Sequence, residues 1–284
     1  MAQELPYTVL DVFTSVPLQG NPLAVVHDAD EITDDVMLQF ARETRLSETC
    51  FVQTESERDA DYRNRIWTVA REVPFAGHPS LGVAVAVARA RGDGDITYVQ
   101  QTGVGLQPID VRLDGTHAHA SVLQEPAVFG EEAAAQHVMA AVGLLPRDAD
   151  SALPPQFVTT GLDTLIAPVR TREALAPAVP DFDLIDGLSD LPDFNLYLVW
   201  LDRPAKRAMA RMFNKTIPGN EDPATGSAAG PLCAYLAERE NWSRVEITQG
   251  VEMGRPSHLV AELEGDRVRV GGDVVVVIEG TVAL

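Results

Sequence analysis

The chain has 284 residues, 45% hydrophobic and 23% charged, the balance of an ordinary globular protein without collagen-like, coiled-coil or disordered bias. Its 42 Asp and Glu against 22 Lys and Arg leave a net charge of −20, which repels phosphate backbones and anionic membrane surfaces and argues against a nucleic-acid or membrane partner. Lys206 and Lys215 are the only lysines, so nearly all positive charge is Arg, a bias that fits either a high-salt or a GC-rich host.

A chain of this length is where one core divides, and two lobes of about 120 to 160 residues are expected. Residues 1–15 carry Glu4 and Asp11 and lack a basic start or an apolar stretch, so they do not read as a secretory signal. The longest apolar run, around Val83 to Ala88, falls far below the ~20 residues that span a bilayer, and a cytoplasmic location is expected. Cys50 and Cys233 have no CxxC partner, which suits buried thiols in a reducing compartment and argues against zinc or a disulfide framework.

Alternating or apolar β-rich runs predict strands at Tyr7 to Phe13, Leu23 to His27, Thr49 to Thr54, Arg63 to Val69, Ile96 to Gln100 and Val104 to Leu113. Between them, an amphipathic helix is predicted from Thr33 to about Glu43, and a second from Pro79 through Leu81 to Arg91. The second is apolar nearly all round, the pattern of a helix enclosed by protein on every side. The later half repeats the plan, with strands at Gln156 to Thr160, Leu165 to Arg170 and Phe194 to Asp202 and an apolar helix from about Thr225 to Arg239. The segment "QTGVGLQPIDVRLDG" at 101–115 answers "TQGVEMGRPSHLVAELEG" at 248–265 after each such helix, so a duplication is expected. The fold class read from this is α+β: two pseudo-symmetric lobes, residues 1–124 and 125–284, each a mixed sheet curled around a central helix. The polar, Pro-rich stretch from Gln124 to Pro155 is taken as the connection between them.

Three stretches stand outside the core periodicity: "RLSETCF" at 45–51, "PFAGHPSLG" at 74–82 and "NEDPATGSAAGPL" at 220–232. The latter two put Gly and small hydroxyl residues at an opening helix, where backbone N–H groups and the helix dipole favour an anion. If a pseudo-twofold relates the lobes, both helix starts face one interlobe cleft. Glu48 falls between a helix and a strand and is the candidate base, its pKa expected to rise with desolvation. The bland alternatives are a solvated loop glutamate at Glu48, an ordinary helix-start residue at His78, and a turn or N-cap at Asp222. His117 and His119 share a strand face but have no third ligand nearby, "GVGLQP" from Gly103 fails the dinucleotide-loop pattern, and Gly226-Ser227 lacks the flanks of a nucleophile elbow.

At these stretches the sequence resembles the PhzF-like phenazine-biosynthesis family. The likeness extends through "LDVFTSVPLQGNPLAVV" from 10, "QQTGVGLQP" from 100, "GLDTLIAPV" from 161, "GRPSHL" and "VRVGGDVVVV". The resemblance implies a diaminopimelate-epimerase-like fold, no cofactor and no metal, a small carboxylate-bearing substrate and a homodimer. It implies that Glu48 of "SET" is the general acid/base, that His78 of "GHP" and Asp222 of "DPATGS" assist, and that Gly77, Gly226 and Ser227 bind substrate. Related epimerases and racemases use a cysteine at each helix start; here those places read Gly77-His78-Pro79 and Thr225-Gly226-Ser227, so a two-thiol mechanism is not expected. The reading is a cofactor-independent isomerase. An epimerase with non-cysteine bases and a non-catalytic small-molecule-binding protein stay open beside it.

Overall fold

A computed structural model describes residues 3–115 and 117–284. The chain forms two compact units, one built from the residues up to Leu123 together with Gly271–Leu284, the other from Gln124–Val270. The terminal segment thus lies in the first unit, not in the second as the sequence pattern suggests.

The first unit runs β1 (Glu4–Val12), β2 (Asn21–Val26), α1 (Asp34–Thr44), β3 (Glu48–Gln53), β4 (Tyr62–Trp67), β5 (Glu72–Val73), α2 (Gly77–Arg91), β6 (Ile96–Thr102), β7 (Gly105–Asp114) and β8 (His117–Leu123). α1 starts after an extended Thr33, carries Asp34 and Asp35 in its first turn and stops at left-handed Arg45. α2 is buried continuously from His78 to Ala88, as its all-round apolar composition requires. Its alternating small residues let the sheet close on it: a Cβ at Gly82 would lie 2.5 Å from the Leu23 side chain.

The second unit opens with β9 (Val128–Glu132) and α3 (Ala135–Ala141), then repeats the plan: β10 (Gln156–Thr159), β11 (Asp163–Val169), α4 (Phe182–Asp186), β12 (Asn195–Asp202), β13 (Arg207–Phe213), β14 (Glu221–Asp222), α5 (Gly226–Glu240), β15 (Arg244–Gln249) and β16 (Ser257–Glu264); β17 (Arg267–Ala283) begins here and belongs to the first unit from Gly271 on. The stretch from Gln124 to Pro155, expected as a connection, is therefore folded into this unit. β9 pairs antiparallel with β10, and Val138, Met139, Ala141, Val142 and Leu144 supply core, which is why the segment is not free. α5 is buried from Gly226 to Leu236.

Strand register makes the duplication explicit within each unit. The pairs β1–β2 and β10–β11 are antiparallel, β2–β3 and β11–β12 parallel, β3–β4 and β12–β13 antiparallel. β4–β6 and β13–β15 are again parallel, and β6–β7 and β15–β16 antiparallel, the two hairpins whose sequences answer one another. β17 explains the return of the chain end: from Val274 to Ala283 it pairs antiparallel with β1, with Val274 opposite Val12 and both buried. No helix among the described residues is long and apolar enough to cross a membrane.

Candidate active site

Glu48 opens β3 rather than lying in the loop before it, paired opposite Leu23 of β2. Its side chain is 16% exposed, and its Oε2 stands 3.4 Å from Nε2 of His78. His78 is the second residue of α2, and its ring is buried to 6% exposure. Burial pushes its pKa down to about 3, with the Pro22 carbonyl acting in the opposite direction, so the ring is neutral near pH 7. Nδ1 of the same ring contacts Nδ2 of Asn21 at 3.1 Å, and Asn21 is fully buried at the start of β2. A carboxylate and a neutral imidazole in contact, with the imidazole anchored at its far nitrogen, can accept and return one proton. Gly77 begins α2 after extended Ala76, which has no side chain able to cap the first-turn N–H groups.

In the second unit, Asp222 closes β14 and is buried. Thr225 is the N-cap of α5 yet makes no side-chain cap bond; its hydroxyl donates instead to Oδ2 of Asp222 at 2.6 Å. The first-turn N–H groups of Gly226 and Ser227 are accordingly not covered by the cap residue. Gln124 donates from Nε2 to the Gly226 carbonyl at 2.9 Å and accepts at Oε1 from Thr160 at 2.6 Å, tying the helix start to the turn that follows β10. Pro231, a turn later, has no N–H for the Ser227 carbonyl, so the opening turn is held from outside the helix.

Sequence reasoning missed Asn21, Thr225, Tyr197 and Gln249 as members of these clusters. For Gln249 a signal existed: Val245, Ile247 and Gln249 are the inward positions of β15, and an amide in an apolar alternation demands partners. Cys50 and Cys233 are both buried free thiols. Burial, then the charge of Glu48, raises the Cys50 thiol pKa, and burial pushes Cys233 up to about 12, so neither offers a thiolate at neutral pH. His117 is exposed and His119 contacts the Asp273 carboxylate at 3.1 Å. Among the described residues, no three His, Cys, Asp or Glu side chains are grouped to hold a metal.

A mixed sheet around a buried helix, built twice with the same succession of parallel and antiparallel pairs, defines the diaminopimelate-epimerase-like class of fold. Residues 10–280 match the model of the phenazine biosynthesis-like protein family. A trans-2,3-dihydro-3-hydroxyanthranilate isomerase of Pseudomonas aeruginosa is 37% identical over 268 residues, 93% of this chain and 92% of that protein. One of Pseudomonas chlororaphis is 34% identical over 286 residues, 98% of this chain and 99% of its own length. A Bacillus anthracis phenazine biosynthesis protein of the PhzF family superposes with a TM-score of 0.87 at 24% identity, covering 99% of this chain and 100% of that one. The chain belongs to the phenazine biosynthesis-like family and is an isomerase of the PhzF type.

Proposed function

We propose that this isomerase moves a proton between carbons of a small carboxylate-bearing metabolite, cyclic as in the substrate named for its relatives, without a cofactor, using Glu48 as general acid/base. The observation that carries the reading is the contact of Glu48 Oε2 with neutral, buried His78 at 3.4 Å. Glu48 takes a proton from carbon as the C–H bond breaks. The electron pair spreads into the adjacent unsaturated system, and Glu48, whose carboxyl proton exchanges with solvent between the two steps, returns a proton at another carbon. Gly77, Gly226 and Ser227 hold the substrate's anionic and polar groups with helix-start donors, which stabilise the charge that develops. His78 and Asp222 assist proton movement.

Related readings follow from the family and from surface chemistry. We infer a homodimer, since β9 is exposed along its whole length with Val128 and Phe129 outward, and light scattering at micromolar concentration tests it. Two buried free thiols support a reducing, cytoplasmic setting.

The test uses the relatives' dihydro-hydroxyanthranilate and simple cyclic analogues in D₂O. Wild type should place solvent deuterium at the receiving carbon. Glu48→Gln keeps shape and hydrogen bonding, and it should lose that label and about 10²- to 10⁴-fold in kcat with binding largely retained. Turnover near the wild-type rate in Glu48→Gln would move the base to His78 or Asp222.

A further inference from the structure

Gln249 ends β15 fully withdrawn from solvent, where a buried amide is tolerated only if its donors and acceptors are met. Its Oε1 accepts from the Tyr197 hydroxyl at 3.0 Å and from the Thr225 backbone N–H at 3.3 Å. Its Nε2 donates to the Asp222 carbonyl at 2.7 Å and to Thr225 Oγ1 at 2.9 Å. These roles are not interchangeable, because a backbone N–H can only donate and a backbone carbonyl can only accept. The amide therefore has one orientation. Thr225 Oγ1, already accepting from Gln249, has a single hydrogen left to give, and it goes to Asp222 Oδ2 at 2.6 Å.

Two further observations hold this arrangement in place. Tyr197 is fully buried, and burial and then the charge of Asp222 raise its pKa, so it remains a donor throughout the working range. Gly250, next along the chain, has φ +78, and a Cβ there would meet the Arg255 carbonyl at 2.4 Å and the Pro223 carbonyl at 2.6 Å. Only glycine lets the end of β15 approach the Asp222-Pro223 turn this closely.

The geometry points to Gln249 as a positioning residue: oriented by Tyr197, it sets the direction of the Thr225 hydroxyl so that the Asp222 carboxylate is held as a hydrogen-bond acceptor in one fixed pose. Its relevance to turnover rests on the role proposed above for Asp222; the orientation itself does not. A carboxylate that accepts such a bond is favoured in its charged form, so breaking the chain at any link raises the pH at which Asp222 protonates.

The experiment follows the Asp222 carboxyl carbon by NMR across pH in full-length protein labelled at aspartate, with assignment by Asp222→Asn. No substrate is needed. Gln249→Leu and Thr225→Val should each move the Asp222 midpoint upward by roughly one pH unit, and the double variant should move it no further. Tyr197→Phe should shift it in the same direction by less. A Gln249→Leu midpoint equal to wild type, whether or not Thr225→Val moves, overturns the proposal. A second readout in unaltered protein stands if a variant does not fold: the Thr225 hydroxyl proton should exchange slowly and show a contact to the Gln249 amide hydrogens, and a fast-exchanging hydroxyl overturns the assignment. With an accepted substrate, Gln249→Leu should lower kcat with little change in KM and shift the acidic limb of its pH profile. If Asp222→Asn turns over normally while the midpoints move as stated, the role of Asp222 in the reaction falls and positioning by Gln249 stands.

Discussion

Arg211 grips Glu221 fork to fork, Nε to Oε1 at 2.8 Å and Nη2 to Oε2 at 2.7 Å. Its remaining nitrogen donates to the Leu175 and Ala178 carbonyls, each at 2.8 Å, and its guanidinium lies 4.8 Å from the Phe213 ring. The first unit builds the same device from Arg65, Glu72 and Trp67, with bonds of 2.8 and 2.7 Å and a ring distance of 5.5 Å. Each fork ties a long strand to the two-residue strand that precedes the central helix, and Glu221 is the neighbour of Asp222.

Arg211→Met should therefore be costly, because it strands a Glu221 side chain that is only 15% exposed. A loss of about 3–5 kcal/mol is expected, read by urea unfolding, whereas Arg65→Met should cost less since Glu72 is 37% exposed. Equal or reversed losses would show that the second fork is not the anchor of the site strand.

Replacing Cys50 and Cys233 together by Ala should leave turnover intact, as should chelator treatment. Both thiols are buried with pKa raised, so the cost should be packing alone, about 1–2 kcal/mol in stability. Loss of turnover in the folded double variant restores a thiol mechanism.

The imidazole of His78 supplies a pH dependence whose sign can be worked out. Folded, it protonates only at about 3; unfolded, near the ordinary 6.5. Between those values the unfolded chain binds the extra proton, so stability is fully present above pH 6.5 and falls as the pH drops through that window. The contribution is about 1.36 kcal/mol per pH unit for one proton, and it should vanish from the slope in His78→Gln. His27, whose pKa burial also lowers against the opposing charge of Asp28, adds in the same direction. Identical slopes for wild type and His78→Gln between pH 4 and 6 would contradict the buried neutral ring.

A net charge of −20 makes the folded chain repel itself. Raising NaCl from about 0.05 M to about 1 M shortens the screening length from over 10 Å to about 3 Å, and the melting temperature should rise with it. A flat or falling melting temperature would mean that the acidic groups are already paired by the Arg residues.

The central helices were legible in the sequence because a helix wrapped on every side must be apolar on every side, and the runs after Pro79 and Thr225 are. The strands with clear alternation, the duplicated hairpins and the residue types at Glu48, His78 and Asp222 were legible for similarly local reasons. What the sequence could not show is which distant groups meet. Glu48 and His78 lie on separate elements, and their contact depends on β2, β3 and α2 packing together. The partnership of Gln249 with Tyr197, Thr225 and Asp222 is likewise assembled from four elements. The return of β17 to β1 and the folding of β9 and α3 into the second unit were decided by tertiary structure too, because strand pairing and core burial are settled by register and apolar area across the chain, and no local window contains both partners.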